Sequence, residues 1–391
     1  MPSFTRGGDK GLARAVARSG AAYFCPVHKP WKIIRWPLGL LALYVGGLLL
    51  YGTLTDWQPQ GRTPLQPSGP KPAAAAGLID TPLISLLSWN VGYGGLGAEE
   101  DFYYNRGDFF WTELGRARAT REHVDSYVAG QRLTLANTAS DFFLLQEVDT
   151  ASRRSYYTNQ LAQARDARPD YVGYYAPNFR ARRVPLPLLQ PWDHYGAVES
   201  GLVSLSLYTP ASAERIQLPG EFPWPTRLFQ LDRCALRQVF PTNWGRELVV
   251  YNLHLSAYDA DGSLRREQMK YLRALFLADA EAGRYVIAGG DWNQLPPGFS
   301  WFSLNPTVEQ TQLPPAVGFD YAPVGWQWAY DPAAATVRKS DAPYDAHRSE
   351  RSLIDFYLVG PGVRLRRVKT IGQDFRFSDH QPVYLEAELL R

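Results

Sequence analysis

Cysteine is nearly absent: Cys25 and Cys234 are the two in 391 residues. They lie on opposite sides of an apolar run, so no disulfide is expected. Cys25-x-x-His28 is followed by no second ligand pair, and no His-Glu-x-x-His occurs, so nothing in the chain reads as a zinc site. No G-x-x-x-x-G-K-[ST] loop is present to cradle a nucleotide. No internal repeat is visible. A basic body is missing too, although the net charge is +3. Residues 1–36 carry seven Lys/Arg against Asp9, which leaves 34 Lys/Arg and 37 Asp/Glu for the rest. Non-specific nucleic-acid binding draws on phosphate neutralisation by Lys/Arg, so this balance counts against a general nuclease and leaves room for a local basic cleft.

What the chain does have is aromatic side chains, 14% of residues with 12 Trp and 23 Tyr. A large β-rich core accounts for them more simply than a surface that binds rings, sugars or a membrane interface. Pro37–Leu54 runs 18 residues without a charge. That is near the lower limit for a membrane span. Trp31, Trp36 and Trp57 flank it as interfacial aromatics do. No small-residue cleavage site follows closely, which favours an uncleaved signal anchor over a cleaved signal peptide. The basic residues before the span predict a cytoplasmic tail (1–36) and an extracytoplasmic remainder. Residues 55–82 are rich in proline and carry the Ala73–Ala76 run, so they read as an extended tether. Residues 83–391 form the remaining domain.

Within that domain, five short polar islands interrupt apolar runs. They are Ser88-Trp89-Asn90-Val91, Gln146-Glu147-Val148, Asn252-Leu253-His254-Leu255, Gly290-Asp291-Trp292-Asn293 and Ser378-Asp379-His380. The first four follow LISLL, DFFLL, ELVVY and YVIAG, which read as buried strands. The last follows QDFRF, a weaker strand. A strand that ends on Asn, Glu, His or Asp places a costly polar group at the edge of a core. Several such ends suggest convergence on one polar pocket. Further strands are expected at 171–176, 201–208, 228–239, 353–359, 363–371 and 382–389. Helices are expected at 117–138 and at 264–281, the second with Ser263 as its N-cap. Pro-rich and aromatic insertions at Arg182–Asp193, Phe222–Pro225 and Asn305–Tyr330 read as binding loops.

The order and chemistry of these islands, with Ile354-Asp355-Phe356-Tyr357 before the final Asp-His, resemble the endonuclease/exonuclease/phosphatase superfamily. The Asn252-x-His254-Leu255 element is similar to the deoxyribonuclease I and neutral sphingomyelinase branches. The resemblance spans residues 83 to 390. It implies an α/β fold, a four-layer α/β/β/α sandwich with the active site at one rim.

The chemistry then reads as follows. A hard divalent cation prefers carboxylate oxygen and keeps several waters, so one or two protein ligands suffice. The resemblance assigns that role to Glu147, with Asn90 beside it and Asp379 as a further metal or phosphate-site residue. The cation is Mg²⁺, with Mn²⁺ as a substitute. Asp291 can orient or deprotonate water, and the Asn293 amide can donate to a phosphate oxygen. By resemblance these are the catalytic Asp and the phosphate-binding Asn. His380 is the acid–base candidate, and the resemblance makes Asp355 its partner. His254 is placed to bind or protonate a phosphate oxygen, and Asn252 joins it as a substrate-binding candidate. A lone histidine at a strand end is more often a satisfied core residue, and His123, His194 and His347 are read that way. Tyr195 and Glu199-Ser200-Gly201-Leu202 resemble the family's small-residue strand motif, a structural element with a rim contact, and Asp193 and His194 are rim candidates.

The resulting expectation is a membrane-anchored, Mg²⁺-dependent phosphoesterase that cleaves a phosphodiester by in-line attack of water. The substrate is expected to be a lipid headgroup or, close behind, a nucleic acid. Inositol-phosphate phosphatase activity ranks third. A surface binding module that has lost the chemistry ranks last, because the candidate site residues are all intact.

Overall fold

The apolar runs fold as strands because β-branched and aromatic residues pack well on a pleated surface, and each run is long enough to cross one. In the computed structural model, residues 31–70, 72, 75–112, 116–190, 192–257, 259, 261–305 and 314–391 are described. The basic tail up to residue 30, with Cys25 and His28, lies outside them. The chain divides into two units, Met1–Gly47 and Leu48–Arg391. The apolar run forms helix α1 (Trp31–Leu54). Its Arg35–Leu54 portion is 20 residues of mean hydropathy 1.7 with none of it buried, long and apolar enough to cross a membrane.

The second unit holds the strands. In chain order they are β1 (Arg62–Pro64), β2 (Leu83–Asn90), β3 (Phe142–Asp149), β4 (Val172–Val184), β5 (Gly196–Ser206), β6 (Ser212–Gln217), β7 (Cys234–Phe240) and β8 (Leu248–His254). They continue with β9 (Tyr285–Asp291), β10 (Gln327–Ala329), β11 (Val337–Arg338), β12 (Arg351–Ser352), β13 (Asp355–Val359), β14 (Val363–Thr370) and β15 (Val383–Leu389). One sheet has six strands in the order β14-β15-β2-β3-β5-β4, and the other has seven in the order β1-β6-β7-β8-β9-β13-β10. A short β11–β12 ribbon stands apart.

Each large sheet has a parallel pair in its interior, β2 beside β3 and β8 beside β9. A parallel pair needs a crossover, and a helix supplies it. After α2 (Tyr103–Arg106), α3 (Arg121–Asn137) connects β2 to β3; after α4 (Gln160–Ala167), α5 (Ser263–Glu281) connects β8 to β9. The α3 start agrees with its capping chemistry, since Thr120 Oγ1 accepts from the His123 N–H at 3.2 Å. The α5 cap differs from the expectation. Gly262 occupies the cap in a left-handed conformation, and Ser263 is the first helical residue, its hydroxyl donating to Asp261 at 2.8 Å. Gly reaches that conformation without a Cβ penalty, which a serine would meet.

The two sheets stack on one another. Leu86, Phe142 and Leu144 from one meet Val250, Ile287 and Tyr357 from the other in a fully buried layer. On the outer faces, Leu135 of α3 and Ala164 of α4 pack on Trp89 and Leu145, and Leu272 and Phe276 of α5 pack on Tyr251 and Val286. This is the expected four-layer α/β/β/α sandwich.

Three further expectations change. The segment 55–82 is no free tether. Arg62–Pro64 pair with β6 as an edge strand, and Ala76 and Ile79 form bridges to Tyr208 and Thr242. Proline cannot donate to a ladder, so it is confined to edges, and an edge is where this segment lies. QDFRF is also no strand: Asp374 and Phe375 have φ of 52° and 54°, and the chain there is a turn leading to Ser378. The rim segment between 228 and 234 is likewise a short helical turn and loop rather than the start of β7.

Candidate active site

The parallel pairs place the site. Their strands end together at one rim, where open α/β sheets gather functional groups. Asn90 ends β2, His254 ends β8 and Asp291 ends β9. Strand register puts His254 opposite Asp291, and Asp355, the first residue of β13, opposite Asp291 on its other side.

Glu147 reaches the rim through a fault in its strand. Leu144 and Gln146 face the inter-sheet side, so simple alternation would send Glu147 to the helix side. Instead β3 slips register between Leu145 and Val148, and Glu147 takes φ of 54°. A non-glycine residue held in the left-handed region is a strained position that surrounding packing must impose. The bulge turns the carboxylate outward, where it is 23% exposed. A second enforced position is Gly290 (φ 145°): a Cβ there would sit 2.1 Å from the Leu253 carbonyl oxygen. No side chain fits, so the glycine is what lets Asp291 sit beside His254.

Asp291 is the centre of the cluster. Asn90 donates its amide to Asp291 at 3.1 Å and to Glu147 at 3.2 Å, while its own Oδ1 accepts from Gly92 N–H at 3.0 Å. His254 Nε2 lies 3.4 Å from Asp291 and 3.9 Å from Glu147. His380 Nδ1 bonds Asp355 at 2.8 Å, which turns Nε2 toward Asp291 at 3.8 Å. Asn293 caps Asp291 through its backbone N–H at 2.9 Å, and its amide donates to the Leu255 carbonyl at 2.9 Å. Asp379 accepts from Ser340 at 3.0 Å. Two tryptophans in the islands act as pins. Trp89 Nε1 donates to the His380 carbonyl at 3.0 Å, and Trp292 Nε1 donates to the Phe356 carbonyl at 2.9 Å.

Protonation follows from burial and charge. Burial, then the nearby Asp355 charge, pushes the Asp291 carboxyl up to about 7. Burial opposes charge on His380, yet Asp355 and Asp291 outweigh it and push the imidazole up to about 10. His254 is driven the other way by burial, with Arg233 and His380 adding to the effect, and stays neutral. Glu147 is raised by burial.

The fit to a hard cation can be tested on these residues. Glu147, Asp291 and Asp379 all line one cavity. Burying carboxylates together is costly without a positive charge, and the raised Glu147 and Asp291 carboxyls mark that cost. An oxygen-rich, thiol-free donor set suits Mg²⁺ or Mn²⁺. Asp291, Asp355 and His380 also offer ligand-type atoms within 4.8 Å of one another. Of that trio, Asp355 is fully buried and already bonded to His380.

One candidate is displaced from the site. Asn252 lies on the same strand face as His254 but one step, about 7 Å, deeper. It is 0% exposed and bonds the other sheet, donating to the Leu145 and Val203 carbonyls (3.1 and 2.9 Å) and accepting from Gln146 at 2.7 Å. Its role is to tie the two sheets below the rim. Asn252→Ala is therefore expected to lower stability by about 1–3 kcal/mol for each partner left unsatisfied. The check is the urea midpoint, with KM of the folded fraction unchanged; a raised KM at wild-type stability would return Asn252 to the pocket.

Asp193 is also structural, accepting from the Ala117 N–H at 2.8 Å and from Arg118 at 3.3 Å. His123 bonds Glu100, and His194 bonds Arg153. His347 is exposed on a loop. Tyr195 does reach the cavity, its hydroxyl 2.7 Å from that of Tyr93. The sequence reading missed Tyr93, Arg154 and Ser340. Arg154 is buried, bonded through two nitrogens to Asp149 (3.1 and 2.8 Å) and stacked 3.8 Å over Tyr93. The Arg153-Arg154 doublet gave no signal for which arginine turns inward.

The cavity holds about 620 Å³. Its polar end is the cluster above. The rest is a slot walled by Phe102, Tyr103, Phe109, Phe179, Leu186 and Phe229.

No family model matches the sequence, and no curated protein matches it. Solved structures match its fold. An endonuclease/exonuclease/phosphatase from Beutenbergia cavernae superposes with a TM-score of 0.50 at 16% identity, over 79% of this chain and 72% of that one. ANGEL2, described as a 2',3'-cyclic phosphatase and solved with adenosine-2',3'-vanadate, gives a TM-score of 0.50 at 14% identity, over 78% and 96%. The sandwich is the endonuclease/exonuclease/phosphatase fold.

Proposed function

We propose that the protein is a divalent-metal-dependent hydrolase of phosphodiesters. The observation that carries this reading is the convergence of Glu147, His254, Asp291, Asn293, Asp379 and His380 on one end of a single cavity. The fold adds to it, since both similar structures are named for phosphoester chemistry. Glu147 and Asp379 are the residues to hold Mg²⁺, with Asn90 bracing Glu147. When bound, the cation would neutralise charge on a phosphoryl oxygen.

The chain's own groups divide the remaining work. Asp291, pushed up to about 7, is matched to neutral solution and takes the proton from the attacking water. His380, pushed up to about 10, is charged at neutral pH and presents its Nε2–H to the phosphoryl oxygens. Asp355 fixes its tautomer and orientation. Neutral His254 presents a further N–H. Asn293 positions Asp291 through its backbone.

A lipid headgroup fits better than a nucleic acid. The arginines lining the cavity include Arg154, bound to Asp149, Arg265, bound to Asp259, and Arg338, bound to backbone carbonyls. They build the wall. The slot beside the catalytic end is aromatic and aliphatic. The apolar helix α1 supports placement at a membrane, with the sandwich on the extracytoplasmic side.

The test is turnover by the purified chain, with Mg²⁺ or Mn²⁺, of bis(4-nitrophenyl) phosphate, DNA, RNA, sphingomyelin and phosphoinositides. Hydrolysis of a diester, with lipid preferred over nucleic acid, is expected. No turnover of any of them with either metal would overturn the reading.

A further inference from the structure

The outer wall of the cavity carries large apolar side chains that no described residue covers. Two insertions build this wall as one ridge. Leu188 N–H donates to the Phe109 carbonyl at 2.9 Å, and Leu189 N–H to the Phe110 carbonyl at 3.0 Å. Thr112 donates through both N–H and hydroxyl to the buried Gln190 amide oxygen (2.8 and 3.1 Å). Asp193 and Arg153 clamp its base, the latter binding the Trp192 carbonyl at 3.0 Å. The ridge is held in shape by polar bonds, so its apolar tips are not needed to fold it.

Its two sides differ. Phe109 and Leu186 face the cavity. Phe110, Trp111, Leu189 and Trp192 face solvent, at 63%, 53%, 46% and 64% exposure. Trp111 and Trp192 meet edge to face, 6.0 Å apart. A contiguous apolar patch of this kind marks an interaction surface. Tryptophan with leucine and phenylalanine is the composition that settles at a membrane interface.

The end of α1 says what covers the ridge. Leu48 and Tyr51 share a hollow with Arg153, Tyr157, Arg182, Arg183 and His194 at the base of the ridge. Thr53 Oγ1 accepts from Trp224 Nε1 at 3.2 Å, and Gly52 packs on Leu228. The loop that makes these contacts also gives Pro225 and Phe229 to the cavity wall. The end of this helix, Leu48 to Leu54, therefore lies beside the base of the ridge and beside the loop that follows Trp224. Arg153, which shares that hollow, binds the carbonyl of Trp192, one of the exposed aromatics. Arg182 and Arg183 add positive charge there, which suits the phosphates of lipid headgroups.

We infer that the ridge seats in the headgroup layer of the leaflet from which α1 emerges, and that the cavity takes a lipid-borne phosphodiester from that leaflet. The substrate half rests on the phosphodiesterase reading above; the seating half does not.

The experiment uses the full chain in nanodiscs of phosphatidylcholine with phosphatidylglycerol. A polarity-sensitive thiol dye is placed by Trp192→Cys in a Cys25→Ser background, since Cys234 is buried. A nitroxide on the lipid headgroup is expected to quench it. In parallel, the variant Phe110→Ser/Trp111→Ser/Leu189→Ser/Trp192→Ser is expected to lose roughly tenfold or more of its turnover on lipid in the disc, about what 1.4 kcal/mol of lost seating gives. It should keep its turnover on bis(4-nitrophenyl) phosphate, a soluble diester that needs no seating. The single Trp192→Ser change should shift the lipid rate in the same direction by a smaller factor. An unquenched dye overturns the seating, and lipid and soluble rates that move together in both variants overturn it too. If the wild type turns over neither substrate, the phosphodiesterase reading fails while the dye still decides the seating.

Discussion

Replacing His380 by alanine is expected to lower kcat by about 10²–10³-fold, the usual cost of losing one donor to the charge that develops on the reacting group. Asp355→Asn should cost a comparable factor without unfolding the protein, because an amide fills the same space but no longer holds the charged imidazole. The double variant should be scarcely worse than His380→Ala, since residues that act as one unit are not additive. The geometry behind this is the 2.8 Å bond between Nδ1 and a carboxylate that is fully buried and faces no solvent. His347→Ala should be near wild type, as that ring sits exposed on a loop. The measurement is kcat on whichever diester is turned over. Fully additive losses, or a large loss at His347 with little at His380, would mean that another histidine contacts the phosphoryl group.

The second large effect concerns the cation. Glu147→Gln keeps the shape of the side chain and removes its charge, so turnover should fall to background, and excess EDTA should do the same to the wild type. Full activity in EDTA would remove the metal from the mechanism. A binding readout separates this from a folding defect. In the metal-free protein, Asp291 and His380 are both raised, to about 7 and about 10. A raised group contributes stability that is complete below its unfolded value and is lost as pH rises through its folded value. The metal-free protein should therefore lose stability from about pH 4 through 7, as Asp291 ionises, and again toward pH 10. A cation binding beside Asp291 competes with its proton. Added Mg²⁺ should raise Tm more at pH 8 than at pH 5.5, and Glu147→Gln should abolish the difference. An equal shift at both pH values would contradict the assignment.

The site was legible in the sequence wherever a polar residue ended an apolar strand. Asn90, His254 and Asp291 are strand-terminal residues in fact, and sequence order brought them to one rim through two parallel pairs. Period-two alternation explains why Asn252 misled: it shares a face with His254, and nothing local tells rim from interior along one face. Glu147 was found by its Gln-Glu context, but its path into the cavity was not legible, because a bulge is a tertiary compromise between β3 and β5. Tyr93, Arg154 and Ser340 carry no local signature; they are set by contacts between segments far apart in the chain. The outer layers were readable from the helical stripes of α3 and α5, while α4 and β6 were too short or too polar to stand out. The proline-rich segment was read by composition as solvated. Composition says nothing of backbone partners, and an unpaired sheet edge was waiting for it.

That edge pairing sets the reach of the enzyme. A loose tether of the length between Leu54 and Leu83 would let a catalytic head wander and tumble above a surface. Here the chain leaves α1, binds β6 within a few residues and stays on the sandwich until β2 begins. The slack between α1 and the first paired strand is the stretch from Leu54 to Arg62, not the whole run to Leu83. For the lipid-borne substrate inferred above, turnover is then expected to follow the surface density of substrate rather than its bulk concentration.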